Sequence, residues 1–134
     1  MSLYFRNVDV ELLAFAKPVA FLRTLRQADA SILISDEQSS GWFVCFEIGG
    51  LSGSAAQVLT GLKRFFAGLT PAARAEWDEA DLRVLDFGYD LEDAERVRET
   101  EISSRFVAFA ASVNASIRIT IYDENHSSRE AHPR

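Results

Sequence analysis

Residues 82–91 read LRVLDFGYDL, and the chain runs on as EDAERVRETE to residue 101. In the first ten, Leu85, Phe87, Tyr89 and Leu91 alternate with Asp86, Gly88 and Asp90. This period of two marks a half-buried strand, apolar on one face and acidic on the other. The continuation is too rich in carboxylates for a strand. The stretch therefore poses one functional question: is its acid a chemical site, a face for a partner, or a solvated edge?

The same alternation recurs upstream and downstream. Around residues 3–15, Val8, Val10 and Leu12 alternate with Asn7, Asp9 and Glu11. Residues 31–50 read as two strands joined by a polar loop over 36–41, with Trp42, Val44, Phe46 and Ile48 sharing one face. The closing SIRITIYD, residues 116–123, sets Ile117, Ile119 and Ile121 inward and Arg118, Thr120 and Tyr122 outward.

Helical spacing fills the gaps. After Pro18, which suits a first helical turn, Phe21, Leu22 and Leu25 share one face. A helix over 55–67 follows the turn GGLSGS, whose serines can cap it, and Gly68 is placed to end it. Val58, Leu62, Phe65 and Leu69 form its apolar stripe. Thr70 and Pro71 open a short helix as N-cap and first residue. A last helix over 101–113 turns Ile102, Phe106, Phe109 and Val113 inward, with Glu99 and Glu101 at the positive end of its dipole.

The resulting order is β-α-β-β-α-α-β-α-β, an α+β chain. Its first six elements spell a ferredoxin-like split βαβ, and the expectation is a mainly antiparallel five-stranded sheet with helices on one face. One domain over residues 1–123 and a polar, unordered tail over 124–134 complete the layout. The uncovered strand face would carry Asp9, Glu11, Glu47, Asp86, Asp90, Arg118 and Tyr122.

Composition narrows the function. The chain has 134 residues, 48 % of them hydrophobic, which fits one globular core. A single cysteine, Cys45, excludes an internal disulfide and any multi-cysteine metal site, and fits a cytoplasmic setting. No secretory signal and no membrane-spanning apolar run is visible. The net charge is −6, and residues 76–101 hold eleven acids against three arginines. No basic cluster exists to hold a phosphate backbone, so nucleic acid is not an expected partner.

The spacing ARAEWDEADLRVLDFGYD, residues 73–90, followed by a helix and SIRITIYD, resembles small bacterial proteins of domain-of-unknown-function families. The matching positions are Trp77, Arg83, Asp86, Gly88, Ile121 and Tyr122, across roughly the last half of the chain. Similar small α+β proteins also serve as immunity partners of bacterial toxins. The resemblance implies an α+β fold and a bacterial setting, and it supplies no catalytic residues.

Familiar catalytic chemistry finds little support. Both histidines, His126 and His132, fall in the polar tail, where a general base would lack a fixed position. Cys45 has no cationic neighbour to lower its pKa and reads as a packed thiol. GGLSGS lacks the lysine and spacing of a phosphate-binding loop. No metal, cofactor or catalytic residue is expected. Two binding surfaces remain. The first is an acidic docking face for a basic protein partner, carried by Asp90, Glu92, Asp93 and Glu95. The second is a ligand or enzyme site on the open sheet face, where Glu47, Asp86, Arg118 and Tyr122 would converge. The bland alternative pairs Asp86 with Arg83 or Arg118 and leaves 90–101 as a solvated loop. The chain would act as a monomer or a homodimer without membrane contact.

Overall fold

Alternation along the strands sorts the side chains to two faces of one sheet. The structure, a computed structural model, describes residues 3–28, 30–48, 53–91 and 99–123. Its elements are β1 (Leu3–Ala14), α1 (Val19–Gln27), β2 (Ser31–Gln38), β3 (Gly41–Glu47), α2 (Ala55–Ala67), α3 (Pro71–Asp78), β4 (Leu82–Leu91), α4 (Ser104–Ser112) and β5 (Ser116–Asp123). The strands lie in the order β2-β3-β1-β4-β5, so β1 is central.

β1 pairs antiparallel with β3 and with β4, and β2 pairs antiparallel with β3. β5 pairs parallel with β4. The sheet is thus mixed, which corrects the expectation of a mainly antiparallel one. The cause is α4: a strand–helix–strand crossover brings the chain back in its original direction.

Val8, Val10, Leu12, Val44, Phe46, Leu85, Phe87 and Tyr89 join the buried residues of all four helices in one cluster. Aromatic rings dominate it. Trp77 stacks on Phe21 at 5.7 Å and meets Phe66 edge-on at 4.9 Å, while its Nε1 donates to the Val113 carbonyl at 2.8 Å. That bond satisfies a polar atom that would be costly to bury unpaired.

The caps explain where helices begin. Ser54 and Gln57 form a reciprocal capping box on α2, and Thr70 accepts from the Ala73 amide at the start of α3. Pro18 sits at the N-cap of α1 and offers no side-chain cap. Glu76 of α3 takes over that role, accepting from the Ala20 and Phe21 amides at 3.2 and 2.7 Å. The last helix starts at Ser104 behind Ser103, not at 101, because the Ser103 hydroxyl caps the Phe106 amide.

Two further expectations change. Asp36, Glu37 and Gln38 belong to β2 rather than to a loop, since an edge strand can leave both faces wet. Ile117, Ile119 and Ile121 stand on the core side of the sheet but remain 37, 50 and 49 % exposed, because β5 is an edge strand that the helices only partly reach. The polar tail over 124–134 lies outside the described residues.

Candidate functional site

The sheet face away from the cluster is polar, and among the described residues no helix packs on it. Its rows follow from the strand register. Asp9 of β1 faces Asp86 of β4, and Asp86 faces Arg118 of β5. On the other side the β1–β3 register carries Asp9 to Glu47, which in turn faces Ser31. Three carboxylates, Glu47, Asp9 and Asp86, therefore stand side by side on adjacent strands roughly 4.8 Å apart. Glu11 follows one row along, between Cys45 and Val84.

Hydrogen bonds tie this row together. Arg118 grips Glu11 with two guanidinium nitrogens, at 2.8 and 3.0 Å, and reaches Asp86 at 3.2 Å. Thr120 donates to the other Asp86 oxygen at 2.7 Å. The Asn7 amide donates to Asp9 at 3.2 Å and to Glu47 at 3.1 Å. Glu47 is itself buried, with 6 % exposure.

Gly88 makes room for Asn7. A Cβ there would lie 2.5 Å from the Asn7 Oδ1 and 3.3 Å from the Tyr122 ring. A bulge in β1 between Phe5 and Asn7 falls at Arg6, whose side chain reaches this face as well. Its guanidinium meets Asp90 at 3.3 Å and lies 4.5 Å from the centre of the Tyr122 ring.

The electrostatics are those of crowded acid. Burial, followed by the neighbouring Glu47 carboxylate, pushes the Asp9 carboxyl up to about 6. Burial also pushes the Cys45 thiol up to about 12, with Asp9, Glu11, Asp86 and Glu47 adding to the effect. A thiol held protonated in this way is no nucleophile. The hydrogen bond that Arg118 donates to Glu11 leads in raising the Arg118 pKa, and burial raises that of Tyr122. Arg118 thus serves Glu11 and Asp86, Asp9 and Glu47 are held by the neutral Asn7 amide, and acid outnumbers base around this row. Among the described residues, no group of three or more His, Cys, Asp or Glu is placed to hold a metal ion.

Of the residues expected to form a docking face, Asp90 ends β4 paired with Arg6, while Glu92, Asp93 and Glu95 lie outside the described residues. The sheet-face set all reach one face, yet they do not converge. Asp86 and Arg118 touch, Glu47 sits two strands away from Arg118's partner, and Tyr122 stacks beneath Arg6. Arg83 does not pair with Asp86. It donates instead to the carbonyls of Asn114, Asp78 and Ala80.

Sequence reasoning placed Asp9 and Glu11 on this face but not at its centre, since periodicity does not reveal which strand is central. It put Asn7 on the polar side of β1 without counting it in the site, and it passed over Arg6. Gly88 opposite a polar residue is the one signal that could have pointed to Asn7. Comparison with known proteins adds no relative: no family model matches the chain, and no curated protein or solved structure is significantly similar to it.

Proposed function

We propose that this protein is a non-enzymatic interaction module that holds a cationic protein partner on the open face of its sheet. The observation that carries this reading is the row Glu47–Asp9–Asp86 with Glu11 beside it, of which Arg118 pairs only with Glu11 and Asp86. A lysine or arginine arriving from a partner would relieve that repulsion. Negative charge on the face would also speed encounter with basic partners and reject acidic ones.

The carboxylate row crosses three strands, β3, β1 and β4, and spans roughly 10 Å at ~4.8 Å per strand, with Ser31 and Arg118 at its two ends. Arg118 and Asn7 fix the carboxylates in place, so little side-chain freedom is lost on docking. An immunity-type role, in which the acidic face masks a basic toxin, is the sharpest form of this proposal. Asp90 of β4, and the acids that follow in sequence at 92, 93 and 95, would add to the same charge.

The order β4-β1-β3-β2, with helices following β1 and β3, supports a ferredoxin-like split βαβ extended by one helix and one strand.

The test is the affinity of a decalysine peptide for the whole chain, measured by titration calorimetry at low salt. Glu11→Gln combined with Asp86→Asn should weaken binding at least about tenfold, given the 1.5–3 kcal/mol carried by hydrogen bonds to charged groups. Equal affinity in that variant would refute the placement of the site.

A further inference from the structure

The helical side of the molecule carries a groove that the sheet-face reading does not use. α2 and α4 meet through Phe66 and Phe109, whose rings lie 5.7 Å apart. On either side of that contact the helices part. One cavity of about 360 Å³ opens toward the start of α4 and is floored by Leu59, Phe87 and Phe106. A second of about 570 Å³ runs toward the end of α4 over Phe66 and Phe109. The second is a shallow, open trough, and the first falls in the range of about 300–1,000 Å³ usual for small-molecule sites.

Lys63 and Arg105 line both cavities, so the two share a cationic waist. Arg74, also on the second cavity, is neutralised by Asp78 at 3.1 Å. Neither Lys63 nor Arg105 makes an ion pair among the described residues. Among the described residues these two cations therefore keep their charge beside an apolar cavity, in a chain of net charge −6. Glu101 also lines the first cavity and would repel an anion from its own carboxylate toward Lys63 and Arg105.

We infer that this groove binds an amphipathic anion, an acyl-chain carboxylate whose head sits between Lys63 and Arg105. Its chain would lie over Leu59, Phe87 and Phe106. The head gains charge-assisted hydrogen bonds from two donors, and the chain covers the apolar side chains of Ala55, Ala56 and Ile102 that line the same cavity.

Sodium dodecanoate, kept below its micellar concentration, is the probe. Titration calorimetry with the full chain should give saturable one-to-one binding, whereas dodecylammonium, with the same chain and opposite charge, should give none. Lys63→Gln with Arg105→Gln should weaken dodecanoate at least about tenfold, with the unliganded protein's circular dichroism and melting midpoint unchanged. Leu59→Phe, which fills the floor without touching the cations, should weaken it as well. Absence of saturable binding, equal binding of both surfactants, or full affinity in both folded variants would overturn the inference.

Discussion

Asp9 concentrates the electrostatic tension of the sheet face in one side chain. Its native pKa of about 6 lies above the ordinary 3.8, chiefly because it is half-buried and secondly because Glu47 is adjacent. The native state therefore holds the proton more tightly than the unfolded chain between those two values. Stability contributed by this group falls as pH rises from about 4 to about 6 and is level above that. Asp9→Asn keeps the shape, can donate to Glu47 and removes the charge. Discounted for solvent screening at a part-exposed position, it should stabilise the fold by about 1 kcal/mol at pH 8 and by almost nothing at pH 3.5. Urea melts at the two pH values check this, and an equal gain at both would disprove the coupling. Gly88 is the other decisive residue. Gly88→Ala should cost about 1–3 kcal/mol, the usual penalty for overpacking, since its Cβ would overlap Asn7. In an Asn7→Ala background most of that cost should vanish, a result a double-mutant cycle would detect.

The elements themselves show what patterning reveals and what it hides. Val8, Val10 and Leu12 on β1, or Leu85, Phe87 and Tyr89 on β4, turn inward as their alternation demands. The two caps Ser54 and Thr70 were equally readable from local chemistry. β5 was readable as a strand over Ser116–Asp123 but not as an edge, because its three isoleucines follow the same rule. Alternation reports which face a residue takes, not whether a helix covers it. Phe87 and Ile119 are register partners on the same side of the sheet, but only Phe87 lies against Phe106, at 4.7 Å between ring centres. Phe87→Ala should cost about 3–5 kcal/mol, the range for emptying a buried aromatic site, and Ile119→Thr less than about 1 kcal/mol. Comparable losses in denaturant melts would contradict the edge position of β5. The α1–α3 contact is likewise invisible to local pattern, since Glu76 caps a helix 55 residues upstream. Glu76→Ala should cost about 1–2 kcal/mol through two lost amide partners. A cost within error of zero would show that water replaces them.

Taken whole, the molecule has a helical side and a sheet side with different chemistry. The sheet side has ordered acid held by Asn7, Thr120 and Arg118, and the helical side has an apolar groove with two cations. Its acidic sheet residues could be read from sequence because each interrupts an apolar strand. Their arrangement could not, because it depends on β1 lying between β3 and β4. Docking of a basic partner to the sheet side should be screened by salt, with association slowing as the screening length falls from about 10 Å at 0.1 M to about 3 Å at 1 M ionic strength. The most direct measurement uses the Asn7 side-chain amide, which donates to both Asp9 and Glu47 and so reports from the centre of the cluster. Nuclear magnetic resonance titration with decalysine should shift that amide and the side-chain carboxyl carbons of Glu11 and Asp86 together, with one saturation curve. Shifts confined to the acids at 92, 93 and 95, with the Asn7 amide and those two carboxyls unmoved, would contradict a binding surface on the open sheet.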